Sequence, residues 1–131
     1  MTLSEFLSVF AFAALRGRDR KTMREMQIAY NDMLTIPKIV CKDWFEISIQ
    51  IGSHAYAASE NGIRQYGIDW ELVEWGFPSQ PIDAEKYGAE DPTDTTKTIG
   101  SYVEIEKLQE LIDDHGGIDV HATLYFNLIT E

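Results

Sequence analysis

The chain has 131 residues, with 22 Asp and Glu against 11 Lys and Arg and a formal charge of −11. Its 44% hydrophobic content can fill a sizeable core, which excludes a disordered acidic tail, and two domains in this length would each be marginal. The charge is divided: residues 1–42 hold seven basic and four acidic residues and residues 43–131 four basic and eighteen acidic, so binding to a phosphate backbone is disfavoured.

Thr2 and Glu5 form a capping-box pattern, and Leu3, Leu7, Phe10 and Ala14 recur at helical spacing, with Phe6 and Ala13 widening the stripe. Gly17 ends this helix. The apolar stretch carries Glu5 and precedes the basic run Arg16 to Arg24, the wrong order for a secretion signal, and it is too short to span a bilayer. Thr22 to Glu25 opens a second predicted helix, with Met23, Met26, Tyr30 and Met33 on one face, ending before Pro37.

From Ile36 the apolar period changes to two. Ile36, Ile39 and Val40 predict a short strand, Lys42-Asp43 a tight turn, and Phe45, Ile47, Ile49 and Ile51 a second strand alternating with Trp44, Glu46, Ser48 and Gln50. Asn61-Gly62 marks a turn joining a weak ribbon of His54–Ala58 and Ile63–Tyr66. Trp70 to Phe77 predicts a strand with Glu71, Val73, Trp75 and Phe77 on one face and Trp70, Leu72 and Glu74 on the other, stopped by Pro78. Residues 78–98, with three prolines, two lysines and five acids, read as a long acidic loop without apolar periodicity, a feature that in compact domains is functional or disordered.

Ile99 to Val103 predicts a strand leading into a helix over Glu104 to His115, with Ile105, Leu108, Leu111 and Ile112 facing the core and Gly116-Gly117 as a left-handed stop. Val120 to Ile129, rich in β-branched and aromatic residues, alternates and predicts a closing strand. The expected fold is α+β in one domain, 1–131. A helical segment, 1–35, precedes a core, 36–131, made of a mainly antiparallel sheet of four to six strands with one helix packed on it.

Several chemistries are demoted by spacing. Cys41 is the lone cysteine, which excludes a disulfide framework and a Cys-rich zinc ribbon and fits a reducing, cytoplasmic setting. Gly62, Gly67 and Gly76 form no phosphate-binding loop. The run from Asp113 to His121 offers Asp113, His115, Asp119 and His121 as metal ligands. Helix-end capping accounts for the same residues. Glu104/Glu106, Glu71/Glu74 and Glu90/Asp91 read as solvated pairs rather than a glycosidase pair. Trp44, Trp70, Trp75 and Phe77 read as core with one ring left for an interface. No catalytic residue, metal or cofactor is expected.

The phrases Ile39-Val40-Cys41-Lys42-Asp43-Trp44-Phe45, Ser48-Ile49-Gln50, Val73-Glu74-Trp75-Gly76-Phe77-Pro78-Ser79, Pro92-Thr93-Asp94-Thr95, Gly100-Ser101-Tyr102-Val103 and His115-Gly116-Gly117-Ile118 together resemble a group of small proteins encoded by tailed phages and prophages. Trp44 stands where glycine is common in that group, Glu104 where proline is common, and Ser101 interrupts a glycine–tyrosine pair. The resemblance covers roughly residues 36–119. It implies a phage gene acting in the cytoplasm of a bacterial host and carries no activity or site residue with it.

The expected function is therefore a non-enzymatic phage accessory protein, of the anti-CRISPR or antirestriction type, that binds a host or defence complex through an acidic surface standing in for phosphates. The contact residues assigned are Asp83, Glu85, Glu90, Asp91 and Asp94, with Glu104 and Glu106. The expected partner presents a basic surface. No nucleic acid is bound directly, no membrane is involved, and the oligomeric state is open, a homodimer included. The alternative is a structural or assembly protein self-associating through Phe6, Phe10 and Met26, and a third is a small metal-dependent enzyme built on the Asp113–His121 cluster.

Overall fold

A computed structural model describes residues 1–16, 36–51, 58–59 and 70–129. Helix α1 (Leu3–Arg16) opens with the predicted capping box: the Thr2 N–H donates to Glu5 Oε1 at 3.3 Å and the Glu5 N–H to Thr2 Oγ1 at 3.1 Å. Its Leu3, Phe6 and Leu7 are buried, and the Leu3 N–H donates to Gln109 Oε1, tying α1 to the helix that follows the sheet. The expected second helix, the Asn61-Gly62 turn and most of its ribbon lie outside the described residues.

Strand β1 (Ile39–Val40) pairs antiparallel with β2 (Glu46–Gln50), and β2 pairs with the C-terminal half of β4 (Trp70–Gly76). Strand β3 (Ala58–Ser59) lies against the N-terminal half of β4, and β5 (Ile99–Glu104) against its other edge. The alternation of β2 is the one expected, Phe45, Ile47, Ile49 and Ile51 all being buried. Helix α2 (Ile105–Asp114) continues directly from β5 and buries Ile105, Leu108, Leu111 and Ile112. Gly116 and Gly117 follow at φ of 88° and 90°, and the Gly117 N–H donates to the Ile112 carbonyl, the left-handed stop expected of this pair. The α+β class stands.

The C-terminal segment corrects the sequence reading. Val120–Ile129 is a helix, α3, not a closing strand. Asp119 starts it by accepting the Ala122 N–H at 2.9 Å, and α3 lies along the free edge of β1. Val120 packs against the core, and two polar side chains reach the strand edge. Thr123 Oγ1, fully buried, accepts the Val40 N–H at 3.0 Å and donates to the Val40 carbonyl at 3.2 Å. Asn127 accepts the Lys38 N–H through Oδ1 and donates to the Lys38 carbonyl through Nδ2. These two side chains, with the Asp119 N–H that also donates to the Val40 carbonyl at 2.9 Å, satisfy a strand edge that would otherwise stay open. Because Thr123 and Asn127 take inward positions that an apolar stripe would otherwise fill, hydrophobic periodicity does not reveal the helix.

The acidic loop is a loop as expected, and it is packed on the sheet. Residues 78–98 pack as a turn-rich strap across β4 and β5, with a 3₁₀ turn at Thr95–Lys97. Tyr87 is buried in the core, and its carbonyl accepts the Trp75 indole N–H at 2.8 Å. The Glu90 N–H donates to the Ile99 carbonyl, and the Ile82 N–H to Thr95 Oγ1. Buried Tyr87, the core-packed Ile82 and Ala89 and a network of threonine and backbone bonds hold the strap without apolar periodicity.

Candidate interaction surfaces

The acids of the strap are held by their own loop. Asp83 Oδ1 accepts the N–H groups of Glu85 and Lys86, at 3.1 and 3.0 Å. Asp91 Oδ1 takes the hydroxyl and N–H of Thr93, and Asp94 Oδ1 those of Thr96. Both carboxyls sit below the usual carboxylate range, chiefly because the threonine hydroxyl donates to the charged form. Glu90 Oε1 accepts from Ser101 Oγ on β5 at 3.0 Å. Glu85 and Glu104 line one shallow concavity of about 210 Å³ beside Lys86, Lys107 and Tyr102. Glu106 is exposed in the first turn of α2. The face is not uniformly negative, since Lys86 pairs with Glu110 at 3.1 Å, an exposed pair that raises the lysine above its usual range.

The residues of the Asp113–His121 run separate. His115 stacks flat on Phe45, centroids 3.9 Å apart, with Nδ1 2.6 Å from Asp43 Oδ2. Asp113 accepts from Gln109, Asp119 caps α3, and His121 faces outward on α3. Among the described residues no three His, Cys, Asp or Glu side chains converge as a metal site. Cys41 is buried, and burial together with the Asp43 charge pushes its thiol up to about 12, which leaves it a packing residue without nucleophilic character at neutral pH.

Phe6, one of the residues assigned to self-association, is fully buried, so it offers nothing to a second molecule; the Phe10 side chain and Met26 lie outside the described residues. Of the aromatic set, Trp75 is core, while Phe77 does not share its face. Phe77 adopts φ of 51°, which turns the chain out of β4 and leaves the ring half exposed.

The surface that periodicity missed lies on α3. Having turned Thr123 and Asn127 inward, the helix presents His121, Leu124 and Tyr125 outward, with Tyr125 62% exposed. Trp44, 65% exposed, meets Phe126 edge-to-face at 5.9 Å, as does Tyr125. These rings, with Asp119, His121 and Ala122, wall an open concavity of about 520 Å³. Trp44 closes the β1–β2 turn, its N–H donating to the Cys41 carbonyl, at φ of 74°. That left-handed position suits glycine and costs an L-residue about 1–2 kcal/mol. The sequence signal available was the absence of any Asp, Glu, Lys or Arg from Val120 to Ile129.

Among the described residues no helix is long and apolar enough to cross a membrane. Comparison with protein-family models, curated proteins and solved structures finds no match to this chain.

Proposed function

We propose that the chain is a non-enzymatic binding protein that docks its acidic strap onto the basic surface of a nucleic-acid-handling complex. This is the action of a phage accessory inhibitor of the anti-CRISPR or antirestriction type in a bacterial cytoplasm. The observation that carries this reading is the fixing of Asp83, Asp91 and Asp94 by bonds within the strap and of Glu90 by Ser101. Carboxylates already held in place lose little conformational freedom on docking, and a rigid array of negative charge can stand in for a row of phosphates.

Retention from bacterial lysate at low and high salt tests the reading. Asp→Asn at positions 83, 91 and 94 keeps the Oδ1 acceptor while removing charge, and Glu→Lys at 85, 90, 104 and 106 reverses charge without touching the turns. Salt-sensitive retention of a nucleic-acid-handling complex by the native chain, lost in this variant, is the expected result. Retention of no such complex, or equal retention by the variant, overturns the proposal.

A further inference from the structure

We propose that the cleft between residues 36–38, the outer face of β2 and Phe77 binds a small planar monocarboxylate, its carboxylate on Lys38 and Ser48 and its ring against Phe77 and Pro37. The cleft has a volume of about 410 Å³. Two amides from different elements fix its wall. Gln50 of β2 accepts the Ile36 N–H at 2.9 Å and donates to the Ile36 carbonyl at 3.0 Å. Asn127 of α3 does the same for Lys38, at 3.1 and 3.0 Å. Pro37 lies between these two clamps with its φ fixed by its own ring. A wall already held at both ends loses little freedom when a ligand settles on it.

The groups left over define the ligand. Ile39 is buried opposite Ile47, so alternation puts Lys38 on the other face of the sheet, and the β1–β2 register carried one residue back sets it opposite Ser48. No described carboxylate pairs with Lys38, although the chain holds 22 acids against 11 bases. The Ser48 hydroxyl accepts from Gln50 Nε2 at 2.9 Å, which leaves its own proton to donate. An ammonium and a hydroxyl side by side suit one carboxylate. Phe77 adds a flat apolar side, half exposed on a backbone at φ of 51° that glycine would hold without strain. Glu46, two residues from Ser48 on the same face, and Glu74, paired with Gln50, flank the cleft without lining it. In a chain of −11 these neighbours repel a dianion or polyanion, and the single lysine matches a single negative charge.

Titration of the isotope-labelled full chain with benzoate and with nicotinate, followed by backbone and side-chain amide NMR shifts, tests the assignment. The expected result is saturable shifts centred on Lys38, Ser48, Phe77 and the Asn127 side-chain amide, with a Kd of about 1 mM or tighter for at least one of the two. Benzamide, the neutral isostere of benzoate, and inorganic phosphate should each bind at least about tenfold more weakly. Lys38→Met should weaken carboxylate binding at least about tenfold, and Phe77→Gly, which also relieves the backbone, at least about threefold. Should Lys38→Met fail to fold, Lys38→Gln replaces it with the same loss expected. Lys97→Met, in the strap, should leave the Kd unchanged. No saturable shift with either carboxylate up to about 20 mM, benzamide or phosphate binding as tightly as the carboxylate, or undiminished binding by a folded Lys38 variant overturns the inference. None of the strap acids lines this cleft, so each of these outcomes leaves the strap proposal standing or falling on its own retention experiment.

Discussion

Gly100 and Trp75 are directly opposed across the β4–β5 ladder, and the indole occupies the space that a side chain at Gly100 would need. A β-carbon there would overlap Nε1 and Cε2 of the ring, whose N–H is committed to the Tyr87 carbonyl. The ring cannot retreat without releasing the strap. Gly100→Ala should therefore destabilise the chain by at least about 3 kcal/mol, the upper part of the overpacking range, as read from urea denaturation. A shift below about 1 kcal/mol would show that the indole is not pinned.

Thr123 should behave as a structural bridge. Thr123→Val preserves shape and leaves the Val40 N–H without its buried partner, so a loss of about 1–3 kcal/mol is expected. Amide exchange at Val40 should accelerate in the variant. If α3 were held only by apolar packing, the valine would be neutral or stabilising.

Cys41 should report on unfolding. With its thiol at about 12, the thiolate fraction at pH 8 is about a thousandfold below that of an ordinary cysteine, so a thiol reagent should modify it only through opened molecules. Labelling rates that follow the unfolding equilibrium across a urea series are the expected outcome. Rapid stoichiometric labelling of the folded chain contradicts it.

Asp43 sets an acid-side dependence. The Phe45 N–H, and then the His115 ring, hold its carboxyl below the ordinary carboxylate value. A folded-state pKa below the unfolded one, about 3.9 for aspartate, means that the unfolded chain binds the proton first as pH falls. The contribution is complete above that value and is lost as pH drops through the folded-state pKa. Glu5, Asp91 and Asp94 are shifted in the same sense. Asp43→Asn keeps the acceptor for Phe45 and should flatten the loss of stability between pH 5 and pH 2, as measured by denaturation at each pH.

Where one face of an element met the core through apolar groups, the sequence was readable: β2 by its alternating isoleucines, α2 by Leu108, Leu111 and Ile112, and the α1 capping box by Thr2 and Glu5. It misled wherever polar groups did the docking. In α3 the inward positions include the fully buried Thr123 and the half-buried Asn127, so the apolar residues around them fell into a false period of two. In the strap, Tyr87 reaches the core with Ile82 and Ala89 packed against it, a spacing that follows no helix or strand period. The strap acids were identifiable by composition. Their fixation by Thr93, Thr96 and Ser101 was not, because those bonds depend on how the chain turns between them. The Trp44 face went unseen for the same reason as α3.

The docking of α3 on β1 also decides what kind of assembly is open to the chain. While Thr123 and Asn127 bond the edge groups of Lys38 and Val40, strand addition at the β1 edge is blocked. Loosening α3 would uncover a backbone edge that any extended segment can extend without limit. The helix therefore works as a terminator of the sheet at its β1 edge.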